Sequence, residues 1–384
     1  MDKRSHDTSS GTNPNHAAGH VAGDDDNDEA TCLQALGLIS AFAVSMTLKA
    51  AIELGLLDAL SQAAAGGGGR ELTADELAAH LPAPDKAEAA ASVDRMLRLL
   101  ASYNVVRCST AAGPAGETLR RYAPAPMCRW LASDGPEGSL APLAMFAVDK
   151  DYLTSWHDLA AAVGGGGPPA FERAHGVPMF EYMGAKNARL SRVFNKAMAQ
   201  QSMTVIGKLL DLERFKGFDD VGVLVDVGGG TGATLEMITS RYKHISGINF
   251  DLPHALAEAP SMPGIEHVPG NMFEEVPHGD AIFLKSILHL QNDNDCIKIL
   301  KNCHRSLPDH GKVIAVEIVL PAIPEATPIA QNPFRLDVIM LNNFRGGKER
   351  TEQEFAKLAK DSGFNDEFRS TYIFANYWAL ELTK

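Results

Sequence analysis

The segment LVDVGGGTGAT, residues 224–234, decides the fold of this 384-residue chain. A short apolar run leads directly into Gly228, Gly229, Gly230 and Gly232, and an amphipathic segment, TLEMITSRY, follows. Glycines let the backbone turn tightly and approach a ligand closely, and the N-terminus of the following helix offers unpaired N–H groups. The segment therefore predicts a strand, a tight turn and a helix that together bind a nucleotide-like ligand.

Two such ligands fit these glycines. Gly228, Gly230 and Ala233 satisfy the G-x-G-x-x-A pattern of dinucleotide-binding turns. Asp251, at the end of the next predicted strand, can hold the ribose hydroxyls of either NAD or S-adenosylmethionine. Asp226 favours S-adenosylmethionine, because an acid just before the turn attracts an ammonium and a sulfonium and repels a pyrophosphate. An NAD-dependent oxidoreductase is the alternative.

From residue 222 onward, strand-like and helix-like segments alternate. Apolar runs such as VLVDV, GIEHV, AIFLKSIL and KVIAVEIVL are separated by helical patterns, which is typical of a parallel sheet covered by helices on both faces. Thr351 and Glu354 have the spacing of a capping box and predict the start of a late helix. Two strand-like segments, DEFRSTYIF and YWALELTK, follow it. The sequence predicts an α/β fold for this half.

The N-terminal half is predicted to be helical, with one hairpin. Residues 30–62 carry a wide apolar helical face, which either packs inside this chain or joins two subunits. Farther on, the order of two helices and a hairpin is that of a winged-helix unit. Its second helix carries only Arg95 and Arg98 as basic residues, so a DNA-binding regulator is a disfavoured alternative.

Composition argues against nucleic acid and membranes as partners and against a secreted protein. A formal net charge of -13 repels phosphate backbones and anionic lipid, which disfavours nucleic acid and membrane surfaces. The apolar stretch 32–48 is interrupted by polar residues and closed by Lys49, which predicts a buried helix rather than a membrane span. Five scattered cysteines without a CxxC pair, and a start without an apolar signal segment, predict a reduced cytoplasmic protein.

Five motifs carry a family likeness when they are taken in order. DVGGGTGA, INFDLPH, EHVPGNMF, FLKSILH and GGKERTEQEF resemble the plant caffeic-acid and flavonoid O-methyltransferases, which are class I S-adenosylmethionine-dependent enzymes. The resemblance implies a Rossmann-like, mostly parallel sheet whose last strand is antiparallel. It also implies a homodimer formed through an N-terminal, winged-helix dimerisation domain. The predicted regions are a disordered tail at 1–28, the dimerisation domain at 29–130, a helical linker lining the acceptor pocket at 131–215, and the catalytic domain at 216–384.

The resemblance also assigns a binding site for S-adenosylmethionine. The predicted donor-binding residues are Asp226, Gly228, Gly230, Asp251, Leu252, Asn271, Met272 and Lys285. The family has an acid where Asn271 stands. The amide oxygen of Asn271 can still accept one hydrogen bond from the adenine amine, so weaker donor binding is expected.

Methyl transfer to a phenol requires removal of a proton from a hydroxyl of pKa about 10, and a neutral histidine can serve as the base. The resemblance aligns His289, which follows FLKSIL, with the catalytic base of the family. It aligns Glu317 and Glu349 with two acids that orient such a base. The family usually has His-Asp-Trp where this chain has His289, Leu290 and Gln291. A re-tuned site, lower activity and a non-catalytic, donor-binding relative are the alternatives. No metal is predicted.

The acceptor pocket implied by the resemblance is apolar. The family has asparagine where Ala147 and Phe344 stand, and histidine where Met183 stands. Methionines and aromatic rings form a deformable apolar slot, so we expect a flat polycyclic acceptor such as a flavonoid to be preferred over caffeic acid. Core packing is the alternative interpretation of these side chains. The predicted pocket residues are Phe146, Met179, Met183, Phe194, Met198, Leu336, Ile339, Met340 and Phe344.

Overall fold

The computed structural model describes residues 24–66, 69–113, 116–133, 135, 137–257, 259–365 and 367–384. Most of the predicted tail, residues 1–23, lies outside the described residues. The first helix begins at Asp24, so the last five residues of that predicted tail are helical. The chain divides into two compact units, residues 1–46 and 47–384.

Helices dominate the first half of the chain, and strands alternate with helices in the second. The helices are α1 (Asp24–Ile39), α2 (Ala41–Glu53), α3 (Leu56–Ala65), α4 (Ala74–Ala78), α5 (Lys86–Ser102), α6 (Ala141–Ala147), α7 (Lys150–Leu153), α8 (Leu159–Gly165), α9 (Ala170–His175), α10 (Met179–Glu181), α11 (Ala188–Leu210), α12 (Ala233–Arg241), α13 (Pro253–Leu256), α14 (Asp293–Ser306), α15 (Pro328–Asn343) and α16 (Glu352–Asp361). Short 3₁₀ or π turns span Pro126–Trp130, Thr154–Asp158, Tyr182–Lys186 and Leu288–Leu290. The strands are β1 (Val106–Ala112), β2 (Thr118–Pro124), β3 (Val223–Val227), β4 (Ser246–Asp251), β5 (Ile265–Pro269), β6 (Ala281–Lys285), β7 (Lys312–Leu320), β8 (Arg350–Thr351), β9 (Phe368–Phe374) and β10 (Tyr377–Thr383).

The first unit contains α1 and the start of α2. Its large apolar side chains are exposed, so the prediction that the stretch 32–48 is buried within this chain is wrong for these positions. The subunit-association alternative stays a prediction. Among the described residues, no single helix is long and apolar enough to cross a membrane, and Asn27–Ile39 with Ala41–Glu53 meets that criterion only as an interrupted pair. The exposed side chains are Leu33, Leu36, Leu38, Ile39, Phe42 and Met46.

The second unit begins with a small helical domain that ends in a hairpin. Helices α3, α4 and α5 enclose a core that includes Leu57, Leu60 and Leu97. Strands β1 and β2 then pair antiparallel, with Val106 opposite Pro124. The predicted order of helix, helix and hairpin is therefore confirmed. The helical pattern over 30–62 forms parts of three helices, α1, α2 and α3, and the chain turns between α2 and α3, where Gly55 has a φ of 66°.

The central sheet has the strand order β5-β4-β3-β6-β7-β10-β9, and β8 pairs with the end of β7. Strands β3 to β7 run parallel to one another, and β10 is antiparallel to both β7 and β9. Alternate residues face two separate cores: Val225 and Leu284 pack on one side, Leu224 and Phe283 on the other. The predicted α/β sheet, mostly parallel and closed by an antiparallel strand, is confirmed. The capping box of Thr351 and Glu354 is present at the start of α16.

The topology locates the site. From β3 the chain moves outward to β4 and β5 and then returns to β6, which lies on the other side of β3. Ligands of open α/β sheets bind beyond the carboxyl ends of the strands at such a reversal. Asp226, Asp251, Lys285 and Glu317 lie at or near the carboxyl ends of β3, β4, β6 and β7 respectively.

Candidate active site

The turn after β3 requires glycine at its first position. Gly228 has a φ of 75°, and a methyl group built on its Cα would lie 2.4 Å from Cδ1 of Ile287. The Gly228 N–H donates to the carbonyl of Phe250 over 2.8 Å. A side chain here would be strained by the backbone and blocked by Ile287. The glycine turn therefore packs directly against the segment that leads to His289.

Asp251 fixes the other side of the glycine turn. Its carboxylate accepts the N–H of Gly230 over 2.8 Å and the N–H of Leu252 over 2.6 Å. A carboxylate has about four lone-pair sites, so both oxygens can still accept a ligand hydroxyl. Its predicted role toward a ribose stays a prediction, and the structure adds that Asp251 also shapes the turn.

Asn249 and His267 support the same turn, and neither was predicted. Asn249 lies in the middle of β4 and is completely buried. Its Nδ2 donates to the carbonyl of Gly230 over 2.9 Å and lies 3.0 Å from Nδ1 of His267. Nε2 of His267 lies 2.9 Å from the carbonyl of Pro260, which assigns the proton to Nε2 and leaves Nδ1 to accept. The signal was a polar residue in the middle of the otherwise apolar strand GINFD.

Two buried acceptor oxygens lie beside the turn. Oδ2 of Asp226 and Oδ1 of Asn249 are buried and have no hydrogen-bond partner among the described residues. A methyl group built on Gly229 would lie 2.7 Å and 2.2 Å from these two oxygens, so only glycine leaves them room. Buried unpartnered acceptors are unfavourable unless a donor reaches them. The ammonium group of S-adenosylmethionine is a donor of this kind.

Burial perturbs both charged side chains beneath the turn. It raises the pKa of Asp226 to about 7; the Asp251 charge adds to this rise, and the Lys285 charge opposes it. Burial lowers the pKa of Lys285 to about 8, against the attraction of Glu317 and Asp226. The Lys285 ammonium also lies 5.7 Å from the centre of the Tyr377 ring. A bound cation near Asp226 favours its ionised form.

The predicted adenine contacts lie after β5. Oδ1 of Asn271 accepts the N–H of Phe273 over 3.0 Å, and Nδ2 donates to Glu274 over 3.0 Å. The carbonyl of Met272 accepts from Asn302 over 2.7 Å. The amide oxygen expected to receive the adenine amine is thus already engaged once, and one lone pair remains. Weaker donor binding stays a prediction.

His289 lies in a short turn beyond β6 and is paired with an acid. Its Nδ1 is 2.8 Å from Oε1 of Glu349, and 14% of its side chain is exposed. A carboxylate only accepts, so Nδ1 carries the proton and Nε2 presents its lone pair. Burial opposes protonation, but the charge and hydrogen bond of Glu349 outweigh it and raise the pKa of His289. The arrangement is that of an oriented general base.

Glu317 acts on the backbone rather than on the imidazole. Its Oε1 accepts the N–H groups of Ile287 and Leu288 over 2.9 Å and 2.8 Å. Burial raises its pKa, with His289 opposing. The structure therefore brings together all three predicted catalytic residues, but it bonds only Glu349 to the ring. Glu317 positions the two residues that precede His289.

These three side chains also satisfy the spacing of a metal site. One ligand atom from each of His289, Glu317 and Glu349 lies within 4.8 Å of the others. Hydrogen bonds already occupy Nδ1 of His289 and one oxygen of each acid. These hydrogen bonds explain why the three side chains lie close together without a metal ion. The absence of a metal from the site stays a prediction.

Arg350 is a further buried residue of the site, and it was not predicted. It is completely buried and follows Glu349 in GGKERT. Its guanidinium donates to the carbonyls of Leu288 and Gln291 and to the carboxylate of Asp293. The sequence offered one signal: two opposite charges, Asp293 and Arg350, lie close in sequence to His289 and Glu349 respectively.

The predicted acceptor residues separate into groups. Leu336 packs against the core of the sheet. Ile339 and Met340 lie one turn further along the same helix, α15. Ala147 is exposed. Aromatic rings connect the remaining ones: Phe146 to Phe194 at 5.2 Å, then Phe180, which was not predicted, to Phe194 at 5.9 Å and to Phe344 at 5.5 Å. One apolar cluster, called the acceptor cluster below, contains the other predicted residues Phe146, Met179, Met183, Phe194, Met198 and Phe344.

Comparison with known proteins decides the family. Residues 36–134 match the model of the O-methyltransferase dimerisation domain, and residues 156–365 match that of the O-methyltransferase domain. This chain belongs to the plant O-methyltransferase family. The two matches overlap the predicted dimerisation and catalytic regions, whose boundaries stay predictions. Family membership removes the support for an NAD-dependent oxidoreductase and for a DNA-binding regulator.

Three relatives show the range of names in this family. The chain is 66% identical to a "probable inactive methyltransferase" of Oryza sativa subsp. japonica, over 98% of this chain and 100% of that one. It is 56% identical to a naringenin 7-O-methyltransferase of the same organism, over 92% and 94%. It is 53% identical to a 3-aminomethylindole N-methyltransferase of Hordeum vulgare subsp. vulgare, over 100% of both chains.

A solved structure has the same fold. The structure of CalO1, a methyltransferase in calicheamicin biosynthesis in its SAH-bound form, matches with a TM-score of 0.74 and 25% identity. The match covers 92% of this chain and 98% of that one. CalO1 therefore binds SAH, the product of the methyl donor, with the same fold as this chain.

Proposed function

We propose that this protein transfers the methyl group of S-adenosylmethionine to a hydroxyl group of a small aromatic acceptor. The observation that carries the proposal is the pairing of His289 with Glu349 at the sheet edge that also holds the glycine turn. His289, whose Nε2 has no hydrogen-bond partner among the described residues, lies beyond the same strands whose ends present Asp226 and Lys285. Family membership supports the reaction class.

The residues of this chain have distinct tasks in that reaction. Asp226, the glycine turn and Asp251 would hold the donor, which supplies a methyl group on a sulfonium and leaves as a neutral thioether. Nε2 of His289 takes the proton of the acceptor hydroxyl, so that the oxygen can form the new carbon–oxygen bond. Glu349 keeps the proton on Nδ1 and stabilises the imidazolium that results. A base of this kind contributes about 10² to 10⁴ in rate.

The acceptor cluster supports a flat, polycyclic acceptor such as a flavonoid over caffeic acid. Its rings and methionines offer apolar contacts, and Phe344 and Met183 stand where the resemblance implies polar residues. An apolar wall desolvates an acceptor carboxylate without compensating it. Turnover of a flavonoid and of caffeic acid, compared at equal concentrations, tests this preference. Faster turnover of the acid contradicts it.

A second candidate function is donor binding without catalysis. The relative named as inactive and the residues Leu290 and Gln291 beside the base favour it. Incubation with S-adenosylmethionine labelled in its methyl group, together with a panel of phenols and an aminomethylindole, separates the alternatives. Labelled phenol ether supports the proposal, labelled amine replaces it with N-methylation, and donor binding without labelled product replaces it with the non-catalytic alternative.

We also propose a cytoplasmic homodimer that associates through the N-terminal domain. The match to a dimerisation domain and the exposed apolar residues of α1 and α2 support the association. Analytical ultracentrifugation of the full chain tests it, because replacing Leu36 and Phe42 by Glu should release monomers. The cytoplasmic location rests on the composition alone.

A further inference from the structure

We propose that Arg350 is a positioning residue for the base: it holds residues 288–291 so that His289 stays bonded to Glu349. The inference rests on the proposed function, because it names a residue that supports the same base. Arg350 touches neither His289 nor Glu349 through its side chain in any described contact, so its action is indirect.

The guanidinium of Arg350 holds both ends of residues 288–291, called the base segment below. One of its nitrogens donates to the carbonyl of Leu288 over 2.8 Å, just before His289. The other donates to the carbonyl of Gln291 over 2.7 Å, two residues after it. The planar fork of arginine can hold two carbonyls at a fixed spacing, which a lysine ammonium cannot do. The position of His289 between these two carbonyls is therefore set from outside the segment.

Asp293 compensates the buried charge of Arg350. Both Nε and one terminal nitrogen of Arg350 donate to Oδ1 of Asp293, over 3.0 Å and 2.8 Å. Burial opposes ionisation of Asp293, but its bonds to Arg350 and Lys348 lower its pKa. Asp293 is the first residue of α14, where an acid is also favoured by the helix dipole. The pair thus anchors the end of the base segment to a helix.

The backbone around Arg350 carries the acid that pairs with the base. Glu349 precedes Arg350, and its N–H donates to Asp337 over 2.9 Å. The N–H of Lys348 donates to the carbonyl of His289 over 2.9 Å. Arg350 itself pairs with Val319 in the sheet. The side chain of Arg350 therefore holds the segment that carries the base, and its backbone continues directly from the acid, Glu349.

Two substitutions test the inference without removing the charge balance altogether. R350K keeps the charge and loses the fork; D293N keeps an acceptor and loses the counter-charge. A displacement of about 1 Å can reduce catalysis by about 10², so we expect kcat of R350K to fall by about that factor while the donor Kd is unchanged. We expect D293N to change in the same direction by less.

The titration of His289 separates positioning from a general loss of stability. Because Glu349 raises the pKa of His289, loosening their contact should lower that pKa in R350K. NMR of the imidazole measures this shift whether or not the protein turns over an acceptor, so failure of the proposed function leaves the test intact. The acid limb of the kcat profile should move in the same direction where turnover is present.

Arg189 provides a matched control. It forms two hydrogen bonds to Asp149 and one to Asp151, away from the base. R189K should lower the melting temperature and leave the pKa of His289 in place. The inference is overturned when R350K leaves that pKa unchanged, or when R189K shifts it equally.

Discussion

The donor edge and the acceptor cluster are held together by different interactions. At the donor edge, residues 226–230, 249–251 and 285–289, hydrogen bonds from side chains hold the backbone: Asp251 holds the turn and Asn249 holds the carbonyl of Gly230. In the acceptor cluster, packing of rings and methionines sets the positions. Hydrogen bonds demand particular residue types, whereas packing accepts many side chains of suitable volume. We therefore expect the donor edge to set the chemistry and the acceptor cluster to set the choice of acceptor.

Removal of the base should have the largest effect. H289A leaves no group to take the hydroxyl proton, so kcat should fall by about 10² to 10⁴. The donor Kd should stay the same, because the glycine turn, Asp251 and Asp226 are intact. Kinetics with labelled donor and calorimetry of donor binding measure the two values. H304A is the control, since His304 packs against Phe364 away from this edge; an equal loss in both variants contradicts the assignment.

Removal of the acid should have the next largest effect and a defined sign with pH. E349Q replaces the charged acceptor by a neutral amide oxygen; a hydrogen bond to a charged group is worth about 1.5–3 kcal/mol, so the fall in kcat should be at most roughly 10- to 150-fold. His289 acts only when neutral, so activity is lost as the pH falls through its pKa. Glu349 raises that pKa, and its loss should move the acid limb of the kcat profile to lower pH. An acid limb at the parent position means that Glu349 does not set the pKa of the base.

Two buried asparagines test whether the two regions act separately. N249A leaves the carbonyl of Gly230 without its side-chain donor and loosens the glycine turn; a lost hydrogen bond of about 0.5–1.5 kcal/mol corresponds to roughly 2- to 12-fold weaker donor binding. Asn343 donates to the hydroxyl of Tyr152 over 2.9 Å, next to the acceptor cluster. N343A should raise the acceptor KM and leave the donor Kd unchanged. A change in donor Kd in both variants shows that the regions are coupled.

The sequence predicted the parts of this site that are carried by pattern. The strand before Gly228, the helix after it and the capping box at Thr351 follow from local rules and are present in the structure. His289 and Glu349 are 60 residues apart, and neither composition nor periodicity pairs them. Only the ordered motifs, through the family resemblance, indicated that they act together.

The missed residues depend on contacts between distant segments. Asn249, in a buried strand, looks unfavourable until the carbonyl of Gly230 comes within reach. Arg350 resembles an exposed loop charge until β8 pairs with β7 and buries it. Leu336, predicted for the acceptor pocket, packs partly against the sheet core, and its role toward the acceptor stays a prediction. Helical spacing gives a face and does not say which neighbour covers that face.

The smallest predicted effect lies at the acceptor cluster. Met183 is buried there, and M183L conserves volume, so stability should change by less than about 1.5 kcal/mol. Leucine is branched and stiffer than methionine, which adapts to irregular surfaces. The range of phenols accepted should therefore narrow, while kcat for the best acceptor and the donor Kd stay near the parent values.

A panel of flat and bent phenols measures this range. M237L is the control, because Met237 packs against the sheet core, and an equal narrowing in both variants removes Met183 from acceptor selection. If M183L alone narrows the range of phenols accepted, the packing of the acceptor cluster contributes to substrate selection.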